Sequence, residues 1–244
     1  MKKVYDKNEL NFALIWIGIY VVLLSVGENV SASIGIAKLI TAPICVVLTV
    51  VLYLWIRKNN LKEKYGLCAL NASAKEYLYF IPFVLLATTN VWFGVRLNLT
   101  VLESVLHVVS MLCVGFLEEV IFRGLLFKAM CKDNIKTAII ISSVTFGMGH
   151  IVNLLNGRDV VETLLQVCYA VAIGFVFTIV FYKGKCLWPC IITHSVINSL
   201  SAFANEDAPE WRGIAGCLFL IVVSVGYAVY IIKRTKEESN SLES

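Results

Sequence analysis

The sequence predicts an all-α protein, a polytopic bundle of about eight transmembrane helices. Apolar residues make up 59% of its 244 residues and charged residues only 16%, whereas about 25% of a soluble domain is charged. The mean hydropathy of +0.79 is too high for a globule that must present a polar surface to water. We therefore expect one integral membrane domain over residues 1–244, with the lipid bilayer as its surroundings.

Eight apolar segments are separated by short polar connections. Because only helices and closed barrels satisfy their backbone groups in lipid, and because polar and apolar residues do not alternate here, each segment is predicted to be a helix. The Ser- and Glu-rich end, residues 236–244, is predicted to be a flexible tail. The eight predicted spans are residues 11–27, 34–56, 77–95, 101–130, 137–155, 160–182, 187–204 and 213–232.

Lys and Arg fall on one side of this predicted bundle. If the N-terminus is inside, most of the 21 basic residues lie at the two termini or near 57–76, 128–136 and 183–185. Basic residues concentrate in cytoplasmic loops, so both termini are predicted to be cytoplasmic. The formal net charge of +4 reflects this bias and gives no reason to expect nucleic-acid binding.

Three charged residues, Glu118, Glu119 and Arg123, lie inside an apolar segment that is long enough to cross a bilayer. Each charge near the centre of a span costs about 2.5–3.5 kcal/mol, which favours a functional site. Glu119 and Arg123 are four residues apart and are predicted to pair on one helix face. Glu118 points about 100° away from Glu119, so it is free to face a cavity and act as a general base.

Two of the three histidines, His150 and His194, also lie within predicted spans. Asn153 follows His150 by three residues and Asn198 follows His194 by four, which places each pair on one side of its helix. Interhelical hydrogen bonding would explain a single such residue. It does not readily explain charged and amide groups on three separate spans of one chain, so we expect a shared site that can activate water for amide hydrolysis.

The three polar segments resemble the motifs of the CAAX protease and bacteriocin-processing family, also called the Abi family of intramembrane proteases. The resemblance covers roughly residues 100–204, which would form the catalytic core. It implies an eight-helix membrane endopeptidase whose cavity opens to the cytosolic side, in the plasma membrane if the source is bacterial. The motifs are Glu118-Glu119-x-x-x-Arg123, Phe146-x-x-x-His150 and His194-x-x-x-Asn198, in this order along the chain.

The resemblance also implies a role for each motif residue. Glu118 and His150 would activate the attacking water, while His194 and Asn198 would stabilise the tetrahedral oxyanion. The three remaining motif residues would be supporting ones: Glu119 and Arg123 fix their helix, and Phe146 packs beside His150.

Metal dependence is open at this stage. Glu118, His150 and His194 could form the His/His/Glu ligand set of a catalytic zinc, with Glu119 as the base. However, no His-Glu-x-x-His motif is present, and members of the family are described both as metalloproteases and as metal-independent glutamate proteases. We favour the mechanism that requires no cofactor.

The expected substrate is a membrane-associated peptide or protein. The resemblance implies either removal of the last three residues of prenylated Cys-a-a-X proteins or, for bacterial members, peptide export, bacteriocin maturation or self-immunity. The alternative is a non-enzymatic immunity or scaffold protein that binds a peptide in the same cavity. A transporter is a third possibility, because ionisable groups in spans also mark ion pathways.

Overall fold

The protein is all-helical, as predicted, in the computed structural model. The structure describes the backbone of residues 1–69, 80–205 and 211–242, with side chains up to residue 234. The predicted tail at 236–244 lies outside the residues whose side chains are described. Within the described part, the helices are α1 (Lys2–Lys7), α2 (Glu9–Ile34), α3 (Thr41–Lys58), α4 (Ile81–Thr88), α5 (Val101–Glu118), a π-helix (Glu119–Phe127) with a final α-turn (Lys128–Met130), α6 (Ile135–Gly149), α7 (Val160–Gly184), α8 (Trp188–Leu200) and α9 (Trp211–Leu242).

Six helices of the described part are long and apolar enough to cross a membrane: Glu9–Ile34, Thr41–Lys58, Val101–Met130, Ile135–Leu154, Val160–Gly184 and Trp211–Arg234. The other two predicted spans correspond to shorter helices. Of the span predicted at 77–95, residues 77–79 lie outside the described residues, and α4 with its 3₁₀ turn ends at Val91. The span predicted at 187–204 contains α8, which has Pro189 in its first turn and is followed by the 3₁₀ turn Ser201–Phe203.

The outer surface of the bundle is apolar. Large side chains such as Leu14, Val22, Val47, Ile140 and Val222 are exposed on the long helices. In water such a surface would be a large hydrophobic patch, whereas in a bilayer it faces lipid. This surface and the six long helices identify an integral membrane protein.

The helix ends collect in two groups, as the distribution of basic residues predicts. At one end, Glu9 forms ion pairs with Lys64 (2.8 Å) and Lys132 (2.9 Å). At the other end, the Glu103 carboxylate accepts a hydrogen bond from the Ala37 backbone N–H (3.0 Å). Loops and span ends that the predicted topology places on one side of the membrane therefore contact each other in the structure.

The α5 helix and the π-helix hold the centre of the bundle. Helix α5 begins at a capping box in which Thr100 and Glu103 satisfy each other's backbone N–H groups, and it packs against α3 and α8, while the π-helix packs against α2 and α6. At Gly115 the backbone of α8 comes so close that an added Cβ would overlap Ser195 Oγ and lie 2.8 Å from the Ser195 backbone N. Glycine at this position is therefore required for the close approach of α5 and α8.

The change from α- to π-helix takes place between the two glutamates. All nine residues of Glu119–Phe127 are buried, and their backbone N–H groups bond to the fifth residue back instead of the fourth. The Ser142 hydroxyl of α6 donates to the Phe122 carbonyl (2.9 Å) within this segment. Helices of this kind are rare and frequently occur at functional sites.

Candidate active site

Glu119 and Arg123 form a fully buried ion pair. The Arg123 Nη1 to Glu119 Oε1 distance is 3.1 Å, and both side chains have 0% exposure. The Arg123 guanidinium also lies 4.1 Å from the centre of the Phe146 ring, a cation–π contact that is strengthened by the absence of water. Gly174 of α7 leaves room for this group, since an added Cβ would lie 3.1 Å from Arg123 Nη2. The predicted pairing of Glu119 with Arg123 is confirmed.

His194 lies between the two glutamates. Its Nδ1 is 2.8 Å from Glu119 Oε1, within hydrogen-bond distance, and its Nε2 is 3.4 Å from Glu118 Oε2. Because Glu119 Oε1 also accepts from Arg123, it acts as the acceptor for His194 Nδ1–H. Glu119 thus orients the imidazole, and the other ring nitrogen is directed towards Glu118. Many enzymes use such a series for acid–base catalysis: one group, here Glu119, orients a histidine, and the histidine faces a second ionisable group, here Glu118.

Tyr20 holds Glu118 from the opposite side. The Tyr20 hydroxyl donates to Glu118 Oε1 at 2.5 Å, and both side chains are buried, Glu118 being 8% exposed. The other carboxylate oxygen, Oε2, has no hydrogen-bond partner among the described residues. Glu118 therefore has one oxygen fixed by α2 and one that faces His194.

A cavity of about 540 Å³ connects these residues. Glu118 and His194 lie at its buried end, together with Tyr20 and Phe146. The predicted residues His150 and Asn198 also line the cavity. The structure therefore brings the motif residues of three helices around one space.

The two aromatic contacts of Phe146 arrange the histidines. Its ring packs edge-on against His150 at 5.4 Å and against His194 at 5.6 Å between ring centres. Phe146 is 3% exposed and contacts both the Arg123 guanidinium and the His150 ring. Asn153 does not join the site through His150 but donates to Gln166 Oε1 of α7 (2.8 Å).

His107, on α5, also lines the cavity, although it belongs to none of the three motifs. Its Nε2 lies 3.1 Å from the Asn198 backbone carbonyl and 3.4 Å from Ser201 Oγ. Glu103, one helical turn before His107, contacts Ala37 and Thr100. His107 thus connects α5 to the end of α8, next to Asn198. The spacing of residues within one span gives no signal for this contact between two helices.

The side-chain arrangement does not fit a three-ligand metal site. Among the residues that the structure describes, no three His, Cys, Asp or Glu side chains come together closely enough to hold a metal ion. His194 Nδ1 is directed to Glu119 and Glu118 Oε1 is bonded to Tyr20, so these atoms of the predicted zinc ligands already have protein partners. The described arrangement thus does not bring Glu118, His150 and His194 together as a ligand set, and metal dependence stays untested.

Comparisons with known proteins match the part of the chain that contains this site. The family model for the Rce1-like type II CAAX prenyl endopeptidases matches residues 100–200, which include all three motifs. A protein of Bacillus subtilis (strain 168) named "Putative membrane peptidase YdiL" is 27% identical over 217 residues, covering 79% of this chain and 84% of that protein. No solved structure matches the chain.

Proposed function

We propose that the chain, which is similar to the Rce1-like endopeptidases over residues 100–200, is an intramembrane endopeptidase of the CAAX protease and bacteriocin-processing family in which Glu118 activates water. The family match and the similar membrane peptidase support a membrane protease. One observation carries the assignment of the base: Glu118, at the buried end of the cavity, has Oε1 bonded to Tyr20 and Oε2 directed to His194. A carboxylate that is fixed but still has an open oxygen suits proton abstraction.

The reaction uses the residues in the following order. Glu118 Oε2 takes a proton from water, and the water oxygen adds to the carbonyl carbon of the scissile peptide bond. With a proton on both ring nitrogens, His194 keeps its Nδ1–H bond to Glu119 and donates from Nε2 to the resulting oxyanion, and Asn198 donates a second hydrogen bond to it. The proton then passes to the leaving nitrogen as the carbon–nitrogen bond breaks, which restores the Glu118 carboxylate. His150 lines the same cavity and assists the transfer of the proton.

Glu119 and Arg123 take part only through position. Glu119 holds His194 Nδ1, and the Arg123 guanidinium balances the charge of Glu119 where neither side chain reaches solvent. An unpaired charge at this depth would be strongly destabilising. The pair therefore keeps His194 in a fixed orientation beside Glu118, in a part of the protein that solvent does not reach.

The substrate is proposed to be a membrane-associated peptide or protein. The candidate roles are Cys-a-a-X processing, bacteriocin or signal-peptide maturation, and self-immunity. A cavity of about 540 Å³ is large enough for a few residues of an extended peptide. The polar groups at its buried end then act on the backbone of the substrate.

The test replaces Glu118 by Gln, which keeps the size of the side chain and the Tyr20 hydrogen bond but removes the base. Glu63→Gln is the matched control, because Glu63 is an exposed residue outside the cavity. Cleavage of internally quenched peptides by the purified proteins is compared with their thermal unfolding. We expect cleavage to be lost in Glu118→Gln and kept in Glu63→Gln, with both proteins folded. Cleavage that persists in Glu118→Gln would contradict the assignment, whereas a preserved cellular phenotype without cleavage would indicate a binding or scaffold protein.

A further inference from the structure

From its buried end at Glu118, the described lining of the cavity extends to one end of the bundle. Its lining residues near the surface come from the last turns of α2, the first turn of α3, the end of the α4 segment, the start of α5, the connection between α6 and α7, and the end of α8. We call this end the mouth face. Its polar lining residues include Glu28, Asn29, Lys38, Asn90, His107, Asn156, Arg158, Glu162 and Ser201.

The mouth face is held together by contacts between loops that are far apart in sequence. Asn29 donates to Asn156 (3.1 Å), and Asn90 donates to the Ile197 carbonyl (2.7 Å). Lys38 is paired with Glu28 at 2.5 Å. These contacts fix one polar rim around the opening.

The opposite end carries most of the basic residues. We call it the basic face; it comprises residues 2–9, 57–64, 128–136, 183–185 and 233–234, which contain Lys2, Lys3, Lys7, Arg57, Lys58, Lys62, Lys64, Lys128, Lys132, Lys136, Lys183, Lys185, Lys233 and Arg234. The loops of the mouth face contribute few basic residues, among them Lys38, Arg96 and Arg158, and the side chain of Lys38 is already paired with Glu28. Orientation in the membrane follows such a bias, with the face rich in Lys and Arg in the cytoplasm.

We infer that the cavity opens to the non-cytoplasmic face of the membrane and that its substrate is a peptide segment presented from that face. This reverses the expected cytosolic opening, and it disfavours a cytosolic carboxyl-terminal tail as substrate. An exported peptide or the non-cytoplasmic end of a membrane protein fits instead. The inference rests on the proposed peptidase activity for the substrate, while the orientation itself rests on charge and cavity position alone.

The packing around Glu118 is consistent with this direction of entry. Glu118 follows the mouth-face residue Thr100 by 18 positions, which is about 27 Å along an α-helix. On the other side, the π-helix and Lys128–Met130 separate it from the basic face. The π-helix residues are all buried, so the path from the basic face is filled by side chains, whereas the path from the mouth face is the cavity.

Orientation is tested by thiol labelling of two single-cysteine proteins in intact bacterial cells. The eight native cysteines are replaced, and one cysteine is introduced as Arg158→Cys at the mouth face or Lys136→Cys at the basic face, both exposed positions. With a membrane-impermeant maleimide, we expect Arg158→Cys to be labelled in intact cells and Lys136→Cys only after permeabilisation. The reverse pattern would overturn the inference. An epitope inserted at Gly157 of the otherwise unchanged chain, probed with antibody on intact cells, gives the same answer if the cysteine-free protein fails to fold.

The side of substrate entry is tested with the unmodified protein in membrane vesicles. A charged, membrane-impermeant quenched peptide that the purified protein cleaves is added to right-side-out and to inverted vesicles. We expect cleavage in right-side-out vesicles and, in inverted vesicles, only after detergent is added. Cleavage by intact inverted vesicles alone would refute entry from the non-cytoplasmic face. Absence of any cleavage that depends on Glu118, in detergent as well, would instead refute the proposed function and leave the labelling result valid.

Discussion

Tyr20→Phe should slow the proposed reaction without preventing folding. The substitution removes only the hydroxyl that donates to Glu118 Oε1 at 2.5 Å. The ring, which belongs to α2, stays packed in the hydrophobic core of the bundle. Without this donor Glu118 keeps its charge but loses the contact that fixes its orientation towards His194. A base that can rotate reaches the productive geometry less often.

The size of the effect follows from the kind of hydrogen bond that is lost. A hydrogen bond to a charged group contributes about 1.5–3 kcal/mol, and about 1.4 kcal/mol changes a rate tenfold. If this contact is kept in the transition state, kcat should fall by about 10- to 150-fold. KM should change little, because Tyr20 contacts the base and the proposed peptide backbone lies on the other side of Glu118.

The assay compares purified Tyr20→Phe with Tyr53→Phe and with the unmodified protein on the same quenched peptide. Tyr53 of α3 is a suitable control because it packs against Phe116 (6.3 Å between ring centres) and does not line the cavity. Thermal unfolding of each protein shows how much of a loss comes from stability. Unchanged kcat in Tyr20→Phe, or an equal loss in Tyr53→Phe, would refute the positioning role of Tyr20.

Three further predictions concern the surroundings of Glu118. Arg123→Met leaves the Glu119 charge buried without its partner and should lower stability by about 3–5 kcal/mol, seen as loss of folded protein in detergent; a small effect would show that Glu119 is not charged there. Gly115→Val should separate α5 from α8 because the added side chain overlaps Ser195. The unfolding temperature should fall more than in Gly18→Val, because a Cβ added at Gly18 has no neighbouring atom within 4 Å. Purification with a chelator should leave peptide cleavage unchanged, whereas stoichiometric zinc whose removal abolishes cleavage would reject the metal-free mechanism.

The pairing within one helix could be predicted from the sequence because helix geometry determines it. Residues four apart lie on the same face, so the contact between Glu119 and Arg123 follows from their positions alone. The alternation of basic and apolar segments likewise predicts which loops meet, and the contacts of Glu9 with Lys64 and Lys132 agree with it. These features depend on local periodicity and on the membrane as a common reference plane.

Contacts between distant helices could not be predicted in this way. Tyr20 is 98 residues from Glu118, and a tyrosine inside an apolar span has the same hydropathy pattern whether it packs against lipid or donates to a carboxylate. The contact of His107 with the Asn198 carbonyl, 91 residues away in the sequence, cannot be predicted from the hydropathy pattern either. Hydropathy also did not predict that α4 and α8 are short, because apolar residues continue past Thr88 and Leu200 into 3₁₀ turns.

The π-helix at Glu119–Phe127 has a consequence for how this site tolerates insertions and deletions during evolution. Deleting one residue from an ordinary membrane helix rotates everything beyond it by about 100°. A π-helical stretch is a place where an additional residue is already accommodated, so a one-residue deletion between Arg123 and Phe127, which keeps the spacing of Glu119 and Arg123, can be absorbed by a return to α-helical hydrogen bonding. We therefore expect homologous chains to differ in length at this position while the helix preceding Glu118 and the basic residues after Phe127 keep their directions, and an alignment that forces equal lengths here would pair the wrong residues.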